Sequence, residues 1–188
     1  MTTQQHSLII AGFGGQGILT IGKLLCRSGL REGKNATYLP SYGSEVRGGT
    51  ANCHIKLSTG EIFSPVVEEA DSLIILNQLS FNKFGDMVRD GGLLIYNESL
   101  IDPAQDGAYN SNARLLGIPA TTLAAEMGNV IVANIIMLGA FVEKTNICKQ
   151  SAVKSSIENW LSGSRKANLE LNMEAFEAGM EMAAPEKR

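Results

Sequence analysis

The stretch IIAGFGGQGILTIGK, residues 9–23, decides how the rest of the chain is read. Residues 7–11, SLIIA, are a short apolar run that predicts a buried strand ending at Gly12. Gly12, Gly14 and Gly17 follow in the spacing G-x-G-x-x-G. Ile18, Ile21, Gly22 and Leu25 then fall at i, i+3, i+4 and i+7, one face of a helix that runs to about Glu32 and stops at Gly33. NATYL, residues 35–39, predicts a second strand closed by Pro40. Strand, glycine turn, helix and strand make a βαβ unit.

Further along, TANCHIKLS (50–58) alternates with period two and predicts a strand with one wet face. The turn signal in STGEIF predicts a hairpin return. SLIILN (72–77) and LLIYN (93–97) are continuous apolar runs, the pattern of parallel strands buried on both faces. A helix is expected over 79–89, stopped by Gly91 and Gly92, and one more short strand within ARLLGIPA. The last third reads as helical: TTLAAEMGN, an apolar helix over 129–143, a helix over 149–161, and NMEAFEAGMEM with Asn172 as its N-cap and Met173, Phe176 and Met180 on one face. A helix that is apolar all round is covered, inside its own domain or by a partner. With no internal repeat, low-complexity segment or long linker, residues 1–188 read as one α/β, Rossmann-like domain with a frayed tail at about 183–188. Its sheet is expected to be mostly parallel with a β-hairpin.

Composition narrows the function. The formal net charge is −3, with no basic excess to suggest nucleic acid. The longest apolar stretch, residues 130–142, is broken by Asn134 and is shorter than the ~20 residues of a membrane span. The N-terminus lacks the pattern of a secretory signal, so the expected compartment is the cytoplasm. Cys26, Cys53 and Cys148 form no C-x-x-C pair and read as buried, reduced thiols. Of the two histidines, His6 falls in the N-terminal tail and His54 on the alternating strand, opposite in facing to Cys53. No phosphate-binding G-x-x-x-x-G-K-[ST] loop, G-x-S-x-G elbow or nucleophile–base pair is present.

Two loops remain as candidates for binding. In the first, Gly12 and Gly14 close the turn and let a ligand approach the backbone, Gly17 packs the helix on the strand, and the N–H groups at the helix start suit an anion. Gly15 and Gln16 complete it, Gln16 adding an amide that donates and accepts. A dinucleotide site would also need an acid near the end of the second strand. Between Asn35 and Ser44 there is none. The spacing therefore fits either an anion-binding turn or a tight turn that binds nothing. The second loop, PSYGSEVRGG (40–49), holds Glu45 and Arg47 beside Gly48 and Gly49. Its arginine suits a phosphate or carboxylate, or belongs to a solvated ion pair.

GFGGQGILTIGKLL, YGSEVRGGTANCHIKLS, SPVVEEADSLIILN, GGLLIYNESLI, MGNVIVANIIMLGAF and LNMEAFEAG, in this order from about residue 7 to 180, resemble the gamma subunit of 2-oxoacid:ferredoxin oxidoreductases. The RGGTANC form is most similar to the 2-oxoglutarate branch, with the branched-chain branch close behind. Ser44 departs from the proline common in that family. The resemblance implies a complex that decarboxylates a 2-oxo acid, passes the acyl group to coenzyme A and the electrons to ferredoxin. It also implies that thiamine diphosphate with magnesium, and iron–sulfur clusters, belong to alpha, beta or ferredoxin-like delta partners. This chain would be a non-redox subunit, binding no cofactor alone, with Gly12, Gly14, Gly15, Gln16, Gly17, Glu45, Arg47, Gly48 and Gly49 facing the active site or coenzyme A, or else docking a neighbour. An indolepyruvate-type subunit and a freestanding binding protein for a nucleotide-containing ligand are the alternatives.

Overall fold

The structure is a computed structural model that describes residues 4–41, 50–105, 109–162 and 168–185. Its centre is a six-stranded sheet: β1 (Gln5–Phe13), β2 (Asn35–Ser41), β3 (Thr50–Ser58), β4 (Ala70–Ile75), β5 (Val88–Asn97) and β6 (Arg114–Ile118), in the order β2-β3-β1-β4-β5-β6. The pairs β1–β4, β4–β5 and β5–β6 are parallel, and β1–β3 and β2–β3 antiparallel. This is the expected mixed α/β fold. The antiparallel pairs that form are β1–β3 and β2–β3; the return within STGEIF does not, because β3 is taken up on both edges by β1 and β2 and residues 59–69 run on to β4 without a strand. Nor is β3 open on one face. Asn52 and Ser58 are buried, and His54 Nδ1 accepts the Val67 N–H at 3.3 Å from the segment that crosses it.

Among the described residues six helices complete the fold: α1 (Ile18–Arg31), α2 (Gln78–Phe84), α3 (Ala120–Glu126), α4 (Ala133–Thr145), α5 (Gln150–Trp160) and α6 (Leu169–Ala183). One apolar cluster joins Leu8, Ile10, Ile74 and Ile95 of the sheet to α1, α4, α5 and α6. A smaller one joins Ile9, Ala11, Ile75 and Leu94 to Phe81 and Phe84 of α2. β1, β4 and β5 are thus buried on both faces, as their continuous apolar runs require. The predicted face of α1 is the buried one, and it sits close because Gly22 and Gly29 admit Cys53 and Leu57 of β3.

The helix expected over 79–89 is shorter. Asn77 caps α2 by accepting the Ser80 N–H at 2.9 Å, a 3-10 turn follows over Gly85–Met87, and Val88 already belongs to β5. Gly91 and Gly92 lie inside β5, where the register against β4 shifts, rather than ending a helix. Asn172 is not the cap of α6. Asn168 holds that position, and the Asn172 amide donates to its carbonyl at 2.7 Å from one turn inside. The apolar helix begins with a 3-10 turn (Val130–Val132), and α4 is covered within the chain itself. Gly139 and Gly179 face Phe176 and Ile136 so closely that neither leaves space for a Cβ. Phe176 is fully buried and Met173 and Met180 pack beside the same cluster. His6 is no tail residue either. It lies in β1, with Nε2 3.1 Å from Ser72 Oγ and its ring edge-on to Phe141. The extreme tail, residues 186–188, is outside the described residues.

Candidate functional site

The chain leaves β1 towards α1 on one face of the sheet and leaves β4 towards α2 on the other. Between two such strands the connections diverge and open a crevice beyond their carboxyl ends. A cleft of about 210 Å³ lies there, lined by Gly15, Gln16, Leu76, Asn97, Leu100, Thr121, Val130, Ile131 and Ala133.

The glycine turn is held by amides. Gln16 Oε1 accepts the Phe13 N–H at 2.6 Å and the Asn77 Nδ2 at 3.1 Å, while Gln16 Nε2 donates to the Leu76 carbonyl at 3.4 Å. Gly12 leaves room for this: a Cβ there would stand 2.7 Å from Gln16 Oε1. Gly17 is the N-cap of α1 at φ 72°, and its carbonyl accepts from Thr20, Ile21 and, at 3.2 Å, from Asn134 Nδ2. A side chain at Gly17 would fall on the Asn134 amide. The glycine is therefore required by α4 and by its left-handed backbone, not by packing of α1 on the strand as its place in the motif suggests. Across the cleft, Asn97 Nδ2 donates to Thr121 Oγ1 at 2.8 Å, and Asn97 Oδ1 accepts the Thr121 N–H at 3.3 Å.

Among the described residues no side chain caps the first turn of α1. Among the described residues, the Ile18 and Leu19 N–H groups at its start have no acceptor. The cleft itself is lined by the neutral amides of Gln16 and Asn97, the Thr121 hydroxyl and apolar walls. Among the described residues none of its lining groups is ionisable. These amides and the hydroxyl can hydrogen-bond a carbonyl-bearing group.

Of the expected site residues, Gly12, Gly14, Gly15, Gln16 and Gly17 form this turn. Glu45, Arg47, Gly48 and Gly49 lie outside the described residues. The residues flanking them, Ser41 and Thr50, lie at the cleft end of the sheet, Thr50 opposite Phe13. Asn77, Asn97 and Asn134, all buried, were not singled out by the sequence reading. The usable signal was that SLIILN and LLIYN both end in asparagine.

The chain's own donors do not fit an iron–sulfur cluster. Cys26, Cys53 and Cys148 are free and buried. Burial pushes Cys26 up to about 12 and Cys148 to about 11, and raises Cys53 as well, so all three stay protonated. Among the described residues no group of three or more His, Cys, Asp or Glu is placed to hold a metal ion. Among the described residues no helix is long and apolar enough to cross a membrane.

Residues 7–182 match the family model of pyruvate ferredoxin/flavodoxin oxidoreductases. The chain belongs to this family. It is 36% identical over 176 residues to ketoisovalerate oxidoreductase subunit VorA of Methanothermobacter thermautotrophicus, covering 93% of this chain but 35% of that one. It is 35% identical over 176 residues to 2-oxoglutarate synthase subunit KorC of Methanocaldococcus jannaschii, covering 93% of this chain and 91% of KorC. The chain thus spans about a third of VorA and nearly all of KorC. Among solved structures it resembles the gamma subunit of a keto/oxoacid ferredoxin oxidoreductase from Geobacter sulfurreducens, with TM-score 0.78, 29% identity, and 95% and 98% of the two chains covered.

Proposed function

We propose that this chain is a one-domain, cytoplasmic, non-redox gamma subunit of a 2-oxoacid:ferredoxin oxidoreductase. The assembled enzyme converts a 2-oxo acid and coenzyme A into acyl-CoA and CO2 and reduces ferredoxin. Alpha and beta partners, with or without a ferredoxin-like delta chain, carry thiamine diphosphate, magnesium and the clusters. The observation that carries this reading is the cleft at the strand ends, lined among the described residues by neutral amides, a hydroxyl and apolar groups. Such a wall positions a substrate whose chemistry is done elsewhere. In this role Gly12, Gly14, Gly15 and Gly17 present the backbone and Gln16 braces it. Glu45, Arg47, Gly48 and Gly49 complete the wall, the guanidinium taking a phosphate or carboxylate. The two-ended match to KorC, a separate chain of nearly the same extent, favours 2-oxoglutarate as the substrate.

The test is Arg47→Ala in the assembled complex, assayed by ferredoxin reduction with 2-oxoglutarate, 3-methyl-2-oxobutanoate and indolepyruvate. 2-Oxoglutarate is expected to give the highest kcat/KM. The variant is expected to assemble normally and to raise a KM, for coenzyme A or the 2-oxo acid, by about tenfold or more, as loss of a charge-assisted hydrogen bond does. Failure to assemble with both KM values unchanged in the residual complex would make the loop a docking surface instead.

A further inference from the structure

The helices carry two charge stripes of opposite sign. On α1 the exposed cations Lys23, Arg27 and Arg31 recur every four residues with exposed Leu30 among them, and the helix has no Asp or Glu. On α6 the exposed carboxylates Glu170, Glu174, Glu177 and Glu181 fall at i, i+4, i+7 and i+11, and the helix has no Lys or Arg. Exposed Met182 borders them. Both spacings keep the residues on one face of their helix.

Part of each stripe has a reason within the chain. Arg31 Nη1 donates to Ser155 Oγ at 3.2 Å and sits in the last turn of α1, where a cation complements the helix dipole. Glu170 sits in the first turn of α6, where an anion does the same, and Glu177 pairs with Lys154 at 2.6 Å. The rest has no such reason. Among the described residues Lys23 and Arg27 meet no carboxylate, and Glu174 and Glu181 meet no cation. Like charges one turn apart destabilise a helix. Glu181 also opposes the dipole of α6, in a last turn that holds no basic residue.

The two stripes complement each other in length as well as sign. At 1.5 Å per residue, Lys23 to Arg31 spans about 12 Å and Glu174 to Glu181 about 10.5 Å. They do not pair within one chain, where α5 packs against both α1 and α6. A twofold axis over α5 sets α1 of each copy beside α6 of the other, so that the contact forms twice. An acidic partner of another kind would use the α1 stripe and be repelled by α6, and a basic one the reverse. The chain itself carries both complements. We propose that the exposed face of α1 docks the acidic face of α6 of a second copy of this chain. Neither stripe lines the cleft at the strand ends, so the assignment holds or fails independently of the role given to the glycine turn.

The test is sedimentation of the full 188-residue chain over a range of concentrations. At low ionic strength the mass is expected to rise with concentration towards that of a dimer. It should fall back to that of a single chain in about 1 M salt, where the Debye length is about 3 Å. Arg27→Glu and Glu174→Lys should each weaken the dimer by about tenfold or more, because each sets like charges against one another, with circular dichroism unchanged. Combined in one chain the two substitutions should restore most of the loss, because the pair re-forms between copies with its signs exchanged. A single chain at every concentration, a dimer that ignores salt and both substitutions, or a double variant no stronger than the single ones overturns the proposal.

Discussion

The two ends of the sheet are built from opposite materials. Where the parallel strands begin, polar groups are charged and paired with one another. Ser7 donates through its N–H and its hydroxyl to Asp71 Oδ2, at 2.7 and 2.8 Å, and Arg89 Nε meets Asp71 Oδ1 at 2.9 Å. Beside them His6 is tied to Ser72. Where the strands finish, the ties are neutral amides from Gln16, Asn77, Asn97 and Asn134. Around them Phe13, Leu79, Leu100, Val130 and Ile131 stand exposed. At one end the polar groups are spent on cohesion. At the other, uncharged groups fix the backbone and apolar side chains stand exposed.

The largest expected effect is at the amide-tied end. Gly17→Ala places a Cβ on the Asn134 amide and forces alanine to φ 72°. The backbone strain and the lost tie should together cost about 2–4 kcal/mol in urea unfolding. Gly33→Ala, at the opposite end of α1, is the control. Its φ is 74°, nearly the same, but no described residue lies within 4 Å of a Cβ. It should cost only the strain, about 1–2 kcal/mol. Equal losses for the two variants would show that the Asn134 contact contributes nothing.

Much of this contrast was hidden in the sequence, for a physical reason. The strand β1, the buried face of α1 and the central strands β4 and β5 were legible because burial imposes a period or an unbroken apolar run. The turn signal at Thr59–Gly60 misled. It reports a local bend, whereas the partner of β3 is set by its place between β1 and β2. The helix after β4 was drawn too long because the apolar Met87 and Val88 continue its pattern, although Val88 belongs to β5. The glycine turn was legible by spacing, but not its bracing. Asn77 and Asn97 looked like the ends of apolar runs and Asn134 like an interruption of one, since nothing local reveals that an amide meets a carbonyl from another element. Asn134 reaches the Gly17 carbonyl across 117 residues.

The charged end should respond to pH through His6. Burial lowers the His6 pKa from 6.5, with Asp71 opposing and Arg89 assisting. The unfolded chain therefore binds the His6 proton more tightly than the folded one does. Its contribution is fully present above about pH 6.5 and is lost as pH falls from there towards the folded value. His54 is lowered in the same sense by burial and by Lys56. Unfolding free energy should fall between pH 7.5 and 5, less steeply in His6→Gln and least in His6→Gln/His54→Gln. An unchanged slope in the double variant would remove both histidines from the account.

The smallest effect on the chain alone should come from the apolar rim, and that is what makes it informative. Ile131 is 70% exposed, so Ile131→Ser removes little burial and should change unfolding by no more than about 0.5 kcal/mol. Its N–H stays bonded to Asn129 Oδ1 at 3.1 Å in either case. In the assembled complex the same change should matter more. An apolar side chain that becomes covered by a partner contributes about 1.5–3 kcal/mol, so assembly should weaken by tenfold or more. Phe63→Ser is the matched comparison. Phe63 is 92% exposed on the segment leading from β3 to β4, where the chain returns from the charged end. If the carboxyl ends of the strands are the face that meets the complex, Ile131→Ser weakens assembly and Phe63→Ser does not. The reverse result in a subunit-exchange assay would move the interface to the other end of the sheet and leave the exposed rim without a partner.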